Sequence, residues 1–190
     1  RHLGAYQGHG NVAHPHGILI TWAVITTGGV QVNRDGRRFW DESPGYSEAA
    51  RAVLSQPGGE AWAIFDARIA AIARQFADFR DAEAQGAVRE AADIVDLAHV
   101  TGLPEDALRA ELAAISTHGP DRFGRDFGGH ALAPPYRAVR VTGALFHTQG
   151  GLCVDQDARV LATDGQPFPN LFAGGGAACG VSGAGDAGYL

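Results

Sequence analysis

Near its C-terminus the chain carries PNLFAGGGAACGVSGAGDAG, residues 169–188, a short apolar segment followed by a run of almost uniformly small side chains. Within that run Gly183, Gly185 and Gly188 have the G-x-G-x-x-G spacing of a dinucleotide-binding loop. In such a loop the glycines open a helix, and an acidic residue follows about 20 positions later. The sequence after Gly188 holds neither, so the spacing alone does not identify a pyrophosphate site.

Two interpretations of the small-residue run are open. It is a tight packing corner between a strand and a helix, or a passage where a cofactor lies against the backbone, with helix N-terminal amides aimed at an anionic group. Seven of the chain's 27 glycines lie between Gly174 and Gly188. This density favours the cofactor interpretation.

Composition limits the kinds of partner. The formal net charge of −6 argues against nucleic acid or an anionic membrane surface, and no apolar run is long enough to span a bilayer. We therefore expect a cytoplasmic protein whose main partner is neither nucleic acid nor a membrane. The two cysteines, Cys153 and Cys179, form no metal-type pair, and reduced buried thiols are the expected state, although a disulfide is not excluded. The absence of methionine and the start at Arg1 suggest a piece of a longer protein.

Hydrophobic periodicity predicts an α+β fold, with strands at both ends of the chain and helices between them. The β-branched segment 17–33 reads as one or two strands, and 136–145 alternates as a strand does. The stretch 117–135, rich in glycine, proline and charge, reads as a long loop. Helices are predicted over 47–54, 59–76, 86–100 and 104–115.

Three histidines lie close together in GHGNVAHPHG, residues 8–17. His9, His14 and His16 could bind zinc or another borderline metal, which would make the chain a binding module rather than an enzyme. They could equally be polar loop residues, because Pro15 and the flanking glycines are typical of a loop. A third interpretation is that one or two of them donate hydrogen bonds to a substrate carboxylate or carbonyl.

A further histidine, His147, stands in ALFHTQGGL, after a predicted strand and shortly before Gly150 and Gly151. It could be a hydrogen-bonded core residue. The two glycines favour a functional role, since they allow a flat ligand to approach the backbone closely.

Two segments, VQVNRDGRRFWDE (30–42) and ALFHTQGGLCVDQDARVLATDGQPFPNLFAGG (144–175), resemble the fumarate reductase/succinate dehydrogenase flavoprotein superfamily. The likeness is greatest to its soluble fumarate-reductase-like and tricarballylate-dehydrogenase-like branches. The resemblance implies FAD as cofactor, a capping and substrate domain over 1–147, and an incomplete C-terminal part of the FAD-binding domain over 148–190. The glycine run would then lie under the flavin's pyrimidine edge.

The resemblance also assigns residues. It places His14, Thr21 and His147 against the substrate, with His14, His147 and Tyr46 as catalytic groups. Contacts to the cofactor are implied at Thr148, Gln149, Gly150, Gly151, Gly175, Gly176, Ser182 and Gly183. Trp22, Tyr46 and Asp186 depart from the family pattern, since they replace a glutamate and two arginines that relay protons or clamp a dicarboxylate. We therefore expect a substrate other than fumarate or succinate.

The resemblance implies a small-molecule substrate and, as the activity, hydride transfer between flavin N5 and a C–C bond next to a carbonyl or carboxylate. For the 190 residues alone we expect a folded but inactive chain without FAD, because the pyrophosphate loop would lie elsewhere. Strand edges left unpaired would favour self-association of this chain.

Overall fold

The computed structural model describes residues 6–115, 118–148 and 150–179. Their contacts divide into two units, one formed by residues 10–144 and the other by 6–9 together with 145–179. Strands β1 and β6 each contribute residues to both units. In the described ranges no helix combines the length and apolar character needed to cross a membrane.

The elements alternate along the chain. Strands are β1 (Tyr6–Ala13), β2 (Ile18–Leu19), β3 (Val30–Val32), β4 (Glu60–Asp66), β5 (Val88–Ala91), β6 (Tyr136–Thr148), β7 (Arg159–Leu161) and β8 (Pro167–Phe172). Helices are α1 (Ala23–Thr26), α2 (Tyr46–Leu54), α3 (Ala67–Ala73), α4 (Ala77–Ala84), α5 (Ile94–Thr101) and α6 (Glu105–Ala113), with short 3-10 turns at Pro57–Gly59 and Gly175–Ala177. The α+β prediction is confirmed.

The main sheet has the order β2-β1-β6-β4-β3, and β5 also pairs with β6. Strand β4 lies between β6 and β3, and it pairs antiparallel with β6 from Glu60↔Thr142 to Asp66↔Tyr136. Every residue of β4 except Glu60 is buried, because both of its faces are covered. On one side Phe65 meets Phe79 of α4 with ring centroids 5.9 Å apart.

This buried strand corrects the helix predicted over 59–76. Its first half is β4, and the helix α3 starts only after Asp66. A short apolar run that is buried on both faces shows no hydrophobic period that distinguishes a strand from a helix. The aromatic and β-branched residues of this run were therefore predicted as helix. The Asp66 carboxylate accepts a hydrogen bond from the Ile69 N–H at 2.9 Å, which caps α3. The helix predicted over 86–100 likewise divides into β5 and α5, which Asp93 caps.

Strand β1 was missed, because its sequence YQGHGNVA reads as a polar glycine loop. Its polar side chains are nevertheless buried and hydrogen-bonded. The Asn11 amide donates to the Ile20 carbonyl at 3.1 Å, and the Gln31 amide of β3 donates to the Gly10 carbonyl at 2.8 Å. The segment 17–33 contains the predicted strands but also the short helix α1 between them.

The predicted loop carries no helix or strand in residues 118–135. Arg125 anchors it to the core of the 10–144 unit. The guanidinium donates to the Ile25 and Gly29 carbonyls at 2.5 and 2.9 Å and to Glu42 at 2.9 Å. This loop therefore closes off the carbonyl end of α1.

In the other unit, β7 and β8 form an antiparallel hairpin. Leu152 forms a parallel bridge with Ala178, and Val154 bridges Val160. These pairings hold the segment after Gly151 alongside the end of the glycine-rich turn, so the backbone of residues 151–154 and 177–179 is ordered by reciprocal hydrogen bonds.

Candidate functional site

Three aromatic side chains of the 10–144 unit, with the threonine that precedes Trp22 in the chain, form a set that we call the aromatic group: Thr21, Trp22, Trp40 and Tyr46. The Trp22 ring lies 6.3 Å from Tyr46 and 6.5 Å from Trp40, between ring centroids. The Thr21 hydroxyl accepts from the Ala23 N–H at 3.3 Å, at the start of α1. The structure thus brings predicted Tyr46 against Trp22, the residue that follows predicted Thr21 in the chain.

Close backbone contacts set the position of Tyr46, the first residue of α2. A Cβ at Gly10 of β1 would lie 2.3 Å from the Ala49 carbonyl carbon, and one at Gly143 of β6 would lie 2.7 Å from the Leu54 side chain. Only glycine permits this approach of the helix to the sheet. Gly45, with φ of 133°, turns the chain into the helix.

A hydrogen bond to Gln31 orients the Trp40 side chain. Its indole N–H donates to the Gln31 side-chain oxygen at 3.1 Å, while the Gln31 backbone N–H donates to Glu42 at 3.1 Å. Gln31 and Glu42 are fully buried. A hydrogen-bonded base of this kind fixes the rotamer of the tryptophan above it.

Two arginines of the same unit, Arg38 and Arg125, are already paired. Arg38 donates to Glu42 and to Asp121, and its side chain is 3% exposed. Arg125 is similarly buried against Glu42. Since both guanidiniums are neutralised inside the core, the aromatic group presents hydroxyls and ring faces to a ligand, without a cation from these two residues.

His14 lies elsewhere in the same unit. Its backbone N–H donates to the Arg140 carbonyl at 2.8 Å, and its Nε2 stands 4.0 Å from the Glu60 carboxylate. Arg140 and Arg34 also approach Glu60, at 3.6 and 3.9 Å. Its neighbours are therefore ionic residues of β4 and β6, and its predicted substrate role stays a prediction.

His147, in the other unit, is exposed at the end of β6 and stacks edge-on against Phe146 at 4.4 Å. Phe146 also meets the His9 ring at 5.4 Å. His9 is only 3% exposed, and burial lowers its pKa from 6.5 to about 4. At neutral pH His9 is therefore an uncharged imidazole one aromatic ring away from His147.

The sequence suggested three roles for His9, as a metal ligand, a polar loop residue or a hydrogen-bond donor to the substrate, but not a buried position on a strand. The signal available was its position: Gln7, His9 and Asn11 alternate, and all three are buried on β1. Within the described ranges no group of three or more histidine, cysteine, aspartate or glutamate side chains is placed to hold a metal. The structure therefore adds no support to the His9, His14 and His16 metal site.

The glycines of this unit differ from one another. A Cβ at Gly151 would come within 2.6 Å of the Ala177 carbonyl oxygen, so this glycine is needed for strand pairing. At Gly174, Gly175 and Gly176 an added Cβ would meet no heavy atom of the described residues within 4 Å. The turn is therefore open, and its bare backbone can be approached by a flat ligand. Thr148 closes the preceding bend, with its hydroxyl donating to the Gly150 carbonyl at 3.1 Å.

Some predicted contacts cannot be placed. Gln149, Ser182, Gly183 and the departure at Asp186 lie outside the described residues. The candidate site therefore consists of two separate sets: the aromatic group with His14 in one unit, and His147, His9 and the open glycine turn in the other.

Comparison with known proteins gives consistent matches. The sequence profile of a family described as "FAD binding domain" matches residues 6–188. A protein of Shewanella frigidimarina named "Probable fumarate reductase" is 33% identical over 182 residues, covering 93% of this chain and 30% of the relative. A 4-oxocyclohexanecarboxylate 2-dehydrogenase of Sinomonas cyclohexanicum is 29% identical over 205 residues, with 90% and 36% covered.

A solved structure is also similar. The open conformation of a flavocytochrome c3 fumarate reductase superposes with a TM-score of 0.74 at 30% identity, covering 94% of this chain and 32% of that one. The chain spans about a third of the length of the curated relatives it matches.

Proposed function

The chain belongs to the FAD binding domain family, within the fumarate reductase/succinate dehydrogenase flavoproteins, and on that premise we propose the following function. It contributes substrate-binding residues and part of the flavin site to an FAD-dependent oxidoreductase. The enzyme introduces or removes a C–C double bond next to a carbonyl, and the substrate is a ketone rather than a dicarboxylate.

The open glycine turn supports a place for FAD. Among the residues that the structure describes, none crowds the position of a Cβ at Gly175 or Gly176, and Gly150 and Gly151 follow Thr148 on the neighbouring segment. We propose that these residues contact the flavin, together with Gln149, Ser182 and Gly183. FAD would supply hydride transfer at N5. The protein's part is to position the substrate and handle the proton.

The substrate class follows from the aromatic group. A dicarboxylate needs cationic partners, ideally the bidentate fork of an arginine. Arg38 and Arg125 are buried against Glu42 and Asp121, and the aromatic group offers two hydroxyls and two indole faces instead. A neutral ketone with an apolar body suits these contacts. This is the observation that carries the proposal.

Individual roles follow. Thr21 donates a hydrogen bond to the substrate, and Tyr46 transfers the proton at the carbon next to the carbonyl. His14 and His147 polarise the carbonyl by hydrogen bonding. The contact of its ring with Trp22 at the start of α2 would hold the Tyr46 hydroxyl in position for this proton transfer.

For the 190-residue chain alone we propose that FAD is not retained. The matched relatives are about three times as long, and a dinucleotide site of this class has a separate loop for the pyrophosphate. Losing that subsite would reduce affinity about a thousandfold or more, equivalent to several kcal/mol.

The experiment uses the whole protein that carries this chain. After purification, a flavin absorption band should bleach on reduction. Turnover should then be compared between a cyclic ketone, such as 4-oxocyclohexanecarboxylate, and succinate or fumarate under matched conditions. Higher kcat/KM for the ketone is expected. Preference for fumarate would overturn the substrate class, and a colourless protein that cannot be reconstituted with FAD would overturn the function.

A further inference from the structure

Two thiols meet beside the glycine turn. The sulfurs of Cys153 and Cys179 are 3.7 Å apart, and both residues are free cysteines of intermediate exposure. Both belong to the unit formed by 6–9 and 145–179. At this separation the sulfurs touch without being bonded, since a disulfide requires about 2.05 Å.

The backbone around them already has the spacing of a disulfide. Leu152 and Ala178 form a parallel bridge, and the Cys179 N–H donates to the Leu152 carbonyl at 2.9 Å. Cys153 and Cys179 are the next pair along this ladder, where neighbouring strands lie about 4.8 Å apart. Disulfide-linked residues have Cα separations of about 4.4–6.8 Å. A side-chain rotation is therefore enough to bring the sulfurs together.

The two thiols differ in access. Cys153 lines a cavity of about 400 Å³, together with residues that include Leu152, Leu161 and Thr163. This cavity admits a small oxidant to the Cys153 sulfur. Cys179 then lies directly against any oxidised group formed there.

We propose that Cys153 and Cys179 are a peroxide-oxidisable pair, with Cys153 attacking and Cys179 resolving. The Cys153 thiolate attacks one oxygen of hydrogen peroxide, the O–O bond breaks, and the departing hydroxide takes up a proton to leave as water. Cys179 sulfur then displaces the hydroxyl of the resulting sulfenic acid as a second water, forming the S–S bond. The two thiols lose two hydrogens and peroxide is reduced to two waters.

This inference goes beyond the proposed function and does not depend on it. The disulfide would tie the strand after Gly151 to the turn that carries Gly175 and Gly176. In the reduced state backbone hydrogen bonds join that turn to Leu152. The oxidised turn should open less often, whether or not it contacts FAD.

The test uses the 190-residue chain, without FAD. Folded chain is treated with hydrogen peroxide, and mass spectrometry of unreduced peptides locates the link. We expect an intramolecular Cys153–Cys179 peptide with the mass of two hydrogens lost, formed at least about tenfold faster than in urea-unfolded chain, because the fold holds the thiols together. Amide exchange at residues 174–179 should slow on oxidation. Failure to form the link, or equal rates in folded and unfolded chain, would overturn the pair.

Single variants test the order of attack. In Cys179→Ser, a dimedone-type probe should trap sulfenic acid on Cys153. In Cys153→Ser, Cys179 should be labelled about tenfold more slowly, because the cavity that admits the oxidant is lined by position 153. Equal or faster labelling of Cys179 would overturn the assignment of Cys153 as the attacking thiol. Both variants keep the backbone ladder, so circular dichroism should match that of the parent chain.

Discussion

Arg38 and Glu42, four residues apart between β3 and α2, form a buried two-point ion pair. Nη2 of Arg38 lies 2.6 Å from Oε2 of Glu42, and Nε lies 3.0 Å from Oε1. The same carboxylate accepts from Arg125 at 2.9 Å. Glu42 and Asp121 together balance the charges of the two buried guanidiniums, and Glu42 links the loop 118–135 to the core through Arg125.

Replacing Glu42 with glutamine keeps the shape and removes the charge. Arg38 would retain Asp121, but Arg125 would lose its carboxylate inside the core, so we expect the free energy of unfolding to fall by about 3–5 kcal/mol. Urea unfolding of the 190-residue chain measures this. The matched control is Glu83→Gln, whose partner Arg74 is 44% exposed, where the loss should stay below about 1 kcal/mol. Equal losses in both variants would contradict the central role of Glu42.

His9 should make stability depend on pH. Its folded pKa of about 4 lies below its ordinary 6.5, so between these values the unfolded chain binds more protons than the folded chain. Its contribution is complete above pH 6.5 and is lost as pH falls to about 4, amounting to roughly 3 kcal/mol at about 1.4 kcal/mol per pH unit. His9→Gln should flatten the stability curve in this window.

Unfolding curves at several pH values compare His9→Gln with the parent chain, and NMR of the imidazole proton reads the pKa directly. His14→Gln is the control, because that side chain is 45% exposed. A His9 resonance that titrates near 6.5 would show that the ring is hydrated.

Two glycines near each other should behave in opposite ways. Gly151→Ala places a Cβ against the Ala177 carbonyl and should destabilise the chain by about 1–3 kcal/mol. Gly176→Ala points a Cβ into open space and should change stability by less than about 0.5 kcal/mol. In the whole protein, however, Gly176→Ala should weaken FAD binding, followed by flavin fluorescence. Unchanged FAD affinity would remove Gly176 from the cofactor contacts.

Tyr46→Phe tests the proposed proton donor. The ring can keep its contact with Trp22, so folding should be preserved while kcat of the whole enzyme falls about 10²- to 10⁴-fold. The pH profile of kcat should lose the limb that belongs to the donor. Tyr6→Phe, at a side chain about half exposed, is the control and should leave kcat unchanged. A Tyr46→Phe enzyme with full activity would assign proton transfer to another group.

Self-association of the 190-residue chain is expected from its exposed apolar side chains. Among those of the 145–179 segment are Leu145 at 72% exposure and Phe172 at 60%. Exposed apolar side chains of this kind favour association with a second copy. Analytical ultracentrifugation should show a dimer whose population rises with concentration, and Phe172→Lys should weaken it more than Leu54→Lys. A monomer at all concentrations would contradict this expectation.

The sequence indicated the superfamily and the fold class, and both are confirmed by the family match and the similar structure. Helices and strands were predicted wrongly where burial on both faces of an element removed its hydrophobic period. In β4 both faces are covered, so the apolar run Trp62–Phe65 carried no strand period. The start of α3 after Asp66 could be predicted, because an aspartate followed by a helix-forming run is a capping signal.

The site was predicted less completely, for a physical reason. The family resemblance implied roles for Thr21 and Tyr46. The contact between the Tyr46 and Trp22 rings could not be predicted, because it depends on how α1 and α2 pack. The buried state of His9 could not be inferred, since β1 buries polar residues that hydropathy assigns to a loop. Hydrogen bonds to strands distant in the sequence, such as that from Gln31 to Gly10, offset the free-energy cost of burying these polar groups.

The seating of α2 on Gly10 and Gly143 has a consequence for redesign. Because the helix rests on bare backbone rather than on side chains, its height above the sheet does not depend on the residues that surround a ligand. Trp22 and Trp40 can therefore be exchanged for smaller or more polar residues to admit new substrates while the Tyr46 backbone stays where it is. Directed evolution of selectivity should accept changes at these two tryptophans far more readily than at either glycine.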